Sequence, residues 1–272
     1  QFIWPLPSEQ VDNAKADPNV VIDKNPSIIL RYVVLNVTQK PFNDVRVRQA
    51  LNYALDREAL NKVIYKGMAS VPQSALAANV WGFQKQQMYG LDVEKAKKLL
   101  AEAGYPNGLE VTLWTPNDTE RSKIAEFLQQ QWAAAGVKAK IQQMEFVALT
   151  NQLQVKPEVS KLQTAVNGWS PSTGEADWGI RPLLTKGMFP TTGFNTGFYT
   201  NDVVEKAVIT GLESGDEKER LAAYGAAQKQ IVEDAPWVFL TVPDIVAGKR
   251  SNLSGVYVLP DGTLDVSHAQ FK

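Results

Sequence analysis

Apolar and polar positions along this chain follow two rhythms that take turns. Between residues 44 and 65, Val47, Leu51, Ala54 and Leu55 recur at helical spacing, and Leu60 and Ile64 continue the stripe. Asp44 stands where an N-cap belongs and Gly67 lies just past the end. The spacing predicts one helix from Asp44 to about Tyr65, with Arg46, Arg48, Arg57 and Glu58 facing solvent or pairing locally. Asp92 caps a second helix, 93–103, stopped by Gly104 and Pro106. Leu109, Val111 and Leu113 then alternate with polar residues, which predicts a half-buried strand ending near Trp114. A third helix follows Asn117-Asp118-Thr119, with Ile124, Leu128 and Trp132 on one face and Gly136 at its end. Val137, Ala139 and Ile141 alternate once more as a strand.

Elsewhere the same criteria predict strands at 27–37, 162–167, 237–242, 245–249 and 256–259, and helices at 202–212 and 216–233. Residues 1–26 carry four prolines and read as irregular connection with one short helix at most. Residues 67–89 read as a long loop. Alternating helix and strand argue for an α/β lobe.

Composition removes several chemistries. There is no cysteine, so thiol catalysis, disulfides and thiolate metal sites are all excluded. The single histidine, His268, lies four residues from the last, which argues against Ser-His-Asp catalysis and histidine-rich zinc sites. A formal net charge of -1 without a basic stripe gives no footprint for nucleic acid or an anionic membrane. No apolar run approaches the roughly 18–20 residues of a membrane span. The sequence opens at Gln1 inside folded-looking sequence, and the expectation is an excised portion of a longer protein.

Three strings carry a more specific signal: PFNDVRVRQALNYALDR (Pro41 to Arg57), AEAGYPNG (Ala101 to Gly108) and GWSPSTGEADW (Gly168 to Trp178). The middle one has a plain physical reading, with Gly104 as left-handed helix cap, Pro106 as stop and Asn107-Gly108 as turn. In this order and spacing the three resemble the peptide and nickel receptor family of solute-binding proteins that serve ABC importers. The resemblance implies a type II periplasmic-binding-protein fold whose two α/β lobes close over a ligand about a hinge. This chain would supply the C-terminal lobe, a mixed β-sheet flanked by helices, at residues 30–242. Residues 1–29 and 243–272 would be remnants of the first lobe and the return to it. The implied protein is a periplasmic, monomeric binding receptor. It captures a small peptide, hands it to a permease in the inner membrane, and needs neither turnover, cofactor nor metal.

The loop refines the ligand. Peptide-binding members carry an Asp three residues after the tryptophan for the ligand ammonium, and here that position is Ser172. An Arg that holds the carboxylate in dipeptide binders aligns with Thr115. Both charged anchors are hydroxyls, which disfavours ordinary peptides. The string GWSPSTGEADW is similar to the glutathione-binding version of the loop, and the ligand it implies is γ-linked. Generic di- or oligopeptides are the alternative ligand class, and a peptide or glycoside hydrolase is the alternative activity.

Each candidate residue carries two readings. Trp169 packs either in the core or along a ligand backbone. Ser170, Ser172 and Thr173 serve either turn chemistry or carboxylate binding. Glu175 and Asp177 either favour the helix dipole or take an ammonium, with Asp177 the better ligand candidate. Asn117 belongs either to a helix cap or to a ligand contact at a strand end. Arg31 makes either an internal salt bridge or a bidentate carboxylate contact, and Arg121 and Arg181 are its competitors.

Overall fold

A computed structural model describes all residues, 1–272. In chain order the elements are β1 (Phe2–Ile3), α1 (Val11–Ala16), β2 (Val20–Asn25), β3 (Leu30–Leu35), α2 (Val45–Tyr53), α3 (Arg57–Tyr65), β4 (Ala69–Ser70), α4 (Val93–Glu102), β5 (Leu109–Pro116), α5 (Thr119–Ala133) and β6 (Val137–Met144). There follow α6 (Phe146–Leu153), β7 (Thr164–Trp169), α7 (Ala176–Leu184), α8 (Asp202–Glu213), α9 (Glu217–Asp234), β8 (Trp237–Pro243) and β9 (Ile245–Arg250). Four two-residue strands close the chain: β10 (Leu253–Ser254), β11 (Tyr257–Val258), β12 (Leu264–Asp265) and β13 (Gln270–Phe271).

Six strands form one mixed sheet in the order β4-β8-β3-β7-β5-β6. β3 runs antiparallel to β7 and β8, whereas β5 runs parallel to β6 and β7. The period of two in each central strand divides its side chains between two cores. Tyr32, Val34, Trp237 and Phe239 face α6–α9, while Val33, Leu35, Val238 and Leu240 face α2–α5. Both faces are covered, so β3 and β8 are mostly apolar, interrupted only by Arg31 and Thr241, rather than clean alternations. On the second face the fully buried Trp132 of α5 donates its indole N–H to the Leu51 carbonyl at 3.2 Å, tying α5 to α2.

The single helix expected over 44–65 is two. Asp44 caps α2 through the Arg46 amide, and Asp56 caps α3 through the Ala59 amide. The apolar stripe from Val47 to Ile64 is buried as read. Arg48 and Arg57 do not face solvent. Arg48 donates to the carbonyls of Asp234 and Phe42, both at 2.8 Å. Arg57 sits in the break between the helices and donates to the carbonyls of Asn52, Tyr89 and Phe239 and to the Asn52 side chain. Burial pushes its pKa down to about 10.

Among the elements that lay outside the sequence reading, two are longer than two residues and matter to the fold. α6 is an eight-residue helix capped by Glu145. β2 falls in the supposed irregular segment and pairs with β9, which also pairs with β1, giving a separate three-stranded sheet. The strand expected at 256–259 is reduced to Tyr257 and Val258, which pair with Asp265 and Leu264.

Candidate functional site

Strand directions gather the candidate residues on one border of the six-stranded sheet. β5 and β7 end there, and β3, antiparallel to β7, begins there. The register sets Leu30 opposite Trp169 and Arg31 opposite Gly168. β8 also ends there before the chain turns into β9. This is the border at which α/β sheets present ligand contacts. It carries Arg31, Asn117, the first turn of α5, Trp169 and the loop before α7.

The border has two parts. The first is a cavity of about 660 Å³ between the first turn of α5, the end of α3, the segment Trp4 to Glu9 and the turn from β8 into β9. Arg31 lines it, and its Nε and Nη2 donate to the two carboxylate oxygens of Glu120, each at 3.0 Å. The Tyr65 hydroxyl donates to the same carboxylate at 2.6 Å. Burial works to lower the Arg31 pKa, but the Glu120 charge and hydrogen bonds outweigh it and the net shift is upward. Burial likewise works to raise Glu120, and Arg31 prevails, holding that carboxyl below its usual value. The space Arg31 needs comes from Gly168, where a Cβ would stand 2.6 Å from Arg31 Nη1.

The second part is aromatic. Trp169 is half-buried and donates its indole N–H to the Trp178 carbonyl at 2.8 Å. Its ring meets Phe194 at 5.2 Å and Trp178 at 6.2 Å between centroids. Ser170 donates to the Asp261 carbonyl at 2.9 Å, fastening the loop to the chain's last segment. Ser172 and Thr173 are exposed on the loop, and Thr173 Oγ1 accepts from the Glu175 amide at 3.3 Å.

Asp177 lies in the first turn of α7 and is engaged by Arg181 one turn on, through bonds of 2.8 to 3.1 Å. That bond holds the Arg181 pKa above its ordinary value. Glu175 lies 3.4 Å from Arg220, whose guanidinium stacks over Trp81. Asn117 is exposed, and its backbone amide donates to the Met144 carbonyl. Thr115 is fully buried, with its hydroxyl 3.3 Å from the Pro116 carbonyl. The border therefore unites Arg31, Asn117, Trp169 and Ser170, while Thr115 lies beneath it and Asp177 is tied within its own helix. Tyr65 and Glu120, which complete the Arg31 cluster, were not among the residues singled out in the sequence. No local pattern marks them, because their partner is 55 to 89 positions away.

A lobe of this topology, with a cavity and an aromatic ledge on the strand-end border, has the architecture of a ligand-binding lobe, and comparison with known proteins gives its family. The chain belongs to the bacterial extracellular solute-binding proteins, family 5, whose model, described as the family's middle region, matches residues 1–190. It is 38% identical to the glutathione-binding protein GsiB of Salmonella typhimurium over 274 residues, covering 100% of this chain and 54% of that protein. The Escherichia coli K12 protein of the same name is also 38% identical, over 96% of this chain and 51% of its own length. Among solved structures, DppA of Helicobacter pylori in complex with the peptide STSA superposes with a TM-score of 0.87 at 31% identity, covering 96% of this chain and 50% of that one. AppA of Bacillus subtilis, in complex with a nonapeptide, gives 0.87 at 25% identity, covering 98% and 54%. The chain thus spans about half the length of the curated relatives it matches. Its α/β architecture is that of a lobe of the type II periplasmic-binding-protein fold, as the three sequence motifs implied.

Proposed function

We propose that this chain is the C-terminal, ligand-binding lobe of a periplasmic receptor that captures glutathione, or a similar small peptide, for an ABC importer. The receptor binds without turnover or cofactor, as a monomer, and its closed form docks on a permease in the inner membrane. Residues 30–242 form the lobe, and 1–29 with 243–272 belong to the first lobe and the crossing to it. The separate sheet of β1, β9 and β2 supports that division.

One observation carries the reading. The GWSPSTGEADW loop and Arg31 meet on the border where the sheet's strands end, beside the cavity. Trp169 offers an aromatic ledge, and Ser170, Ser172, Thr173 and Asn117 offer polar contacts around it. Arg31, already held by Glu120, contributes a fixed positive edge. Asp177 and Thr115 act from behind: Asp177 through Arg181 steadies the turn whose Trp178 carbonyl holds the Trp169 indole. The glutathione-binding relatives support the ligand, and the absence of a charged anchor at Ser172 fits a ligand whose ammonium branches from the peptide axis.

The test is calorimetric titration of reduced glutathione into the full-length receptor, with the 272-residue chain in parallel. Saturable binding at micromolar or tighter concentration, weakened at least tenfold by Trp169→Ala and absent from the lobe alone, is the expected result. The peptide complexes of the solved relatives favour di- or oligopeptides as the second reading. Heat from such peptides and none from glutathione would replace the first reading with it.

A further inference from the structure

The cavity beside Arg31 holds a second guanidinium, which makes an ion pair with Asp118 but no side-chain hydrogen bond within this chain. Arg121, in the first turn of α5, lines the same space. Its Nε is buried without a hydrogen-bond partner. Its nearest carboxylate, Asp118, stands 3.4 Å from that Nε, and Asp118 already accepts the Arg121 amide as the helix cap. The Nη groups donate to no protein atom, and the head lies 5.4 Å from the Phe146 ring centroid. Burial lowers the Arg121 pKa, and the positive charge of Arg31 lowers it further.

Leaving a partly buried guanidinium in this condition costs free energy, because its Nε donor has lost its water. Arg31 shows the contrast within the same cavity, with both of its forward donors matched to Glu120. A planar, weakly hydrated fork with free donors, set on a cavity of about 660 Å³, is suited to a bidentate acceptor from outside. Lys123 is engaged by Glu9 at 3.2 Å, so it does not compete for that acceptor.

We infer that Arg121 is the anchor for the ligand's C-terminal carboxylate, that of the glycine in glutathione, and that this end of the ligand lies in this cavity rather than at the aromatic ledge. The inference rests on the reading of the chain as a small-peptide receptor and specifies which charged residue fixes the ligand's orientation. It moves the carboxylate anchor away from Thr115, which is buried, to a residue six positions later.

The experiment compares reduced glutathione with its glycine monoethyl ester, titrated into the full-length receptor and into its Arg121→Gln and Arg121→Lys variants. The expected result is a loss of ~30-fold or more for the acid on Arg121→Gln, about the size of one charge-assisted bidentate contact. Arg121→Lys should restore part of it. The ester should bind the wild type weakly and be insensitive to either variant. Equal affinity of the acid for wild type and Arg121→Gln, or an ester bound as tightly as the acid by the wild type, overturns the inference. Should Arg121→Gln not fold, Arg121→Lys carries the test: an acid bound as tightly by it as by the wild type, with an ester that shows the same preference, overturns the inference. If glutathione gives no heat, the same pair of arms run with Ala-Ala and Ala-Ala methyl ester keeps the two claims apart. A peptide acid that needs Arg121 supports the anchor while the glutathione reading falls, and one indifferent to it overturns the anchor too.

Discussion

Glu120 joins α5, β3 and α3 through one carboxylate, and replacing it by Gln isolates what that charge does. In Glu120→Gln the shape is kept, but Arg31 loses one of two bonds at 3.0 Å and Tyr65 loses a charged acceptor at 2.6 Å. A hydrogen bond to a charged group contributes ~1.5–3 kcal/mol, and breaking a buried pair costs ~3–5 kcal/mol. The Glu120 side chain is 33% exposed and the Arg31 side chain 16%, so the first figure applies rather than the second, a loss of ~2–3 kcal/mol. The pH dependence follows from the direction of the shift. The folded carboxyl titrates below its unfolded value of ~4.3, so its contribution is complete above that value and fades as pH falls through the folded pKa. The gap between wild type and Glu120→Gln should therefore be full at pH 7, nearly full at pH 5 and much smaller at pH 3. Urea unfolding followed by tryptophan fluorescence at the three pH values measures it. A gap below ~0.5 kcal/mol at pH 7, or one that does not shrink at pH 3, would refute the account, since buried charge pairing predicts both.

Gly168→Ala tests the same cluster from the strand side. Its Cβ would press on an Arg31 that cannot swing away without leaving Glu120, so a loss of ~1–3 kcal/mol in a thermal or urea melt is expected, reduced in a Glu120→Gln background where the arginine is freer. Arg57→Met fills the volume but strands three carbonyls, those of Asn52, Tyr89 and Phe239. It should cost ~3 kcal/mol or more, and a melt within ~0.5 kcal/mol of wild type would show that the arginine is a bystander.

The main sheet and its helices were legible because their signals are local. Asp92, Asp118 and Asp216 are N-caps that each accept a backbone amide within three residues, and Gly104 and Gly136 take the positive φ a helix stop needs. The break between α2 and α3 was missed because apolar spacing runs unbroken through Leu55, and the buried fate of Arg57 depends on carbonyls as far as 182 positions away, in β8. β2 was missed because its residues are only partly buried, leaving little alternation to read. The site divides the same way. The loop around Trp169 stood out as a motif, whereas the Arg31, Glu120 and Tyr65 cluster exists only once three elements have been folded together. Arg121 was one of several arginines in the sequence, and only its buried Nε without a hydrogen bond, on the wall of the cavity, sets it apart.

The small sheet of β1, β9 and β2 has a consequence for the order in which the chain folds. Phe2 pairs with Lys249 and Asn25 with Ile245, so its first strands must wait for a partner 220 or more positions later. Closing a loop of that length is entropically slow compared with the local pairing of β5 with β6 through α5. Within this chain β1 and β2 find their partner only in β9, while the large sheet can be completed through β8 before β9 joins. β9, which β1 and β2 share, thus completes the small sheet after the large one, and until it does the edges of β1 and β2 are open to mispairing with a neighbouring chain.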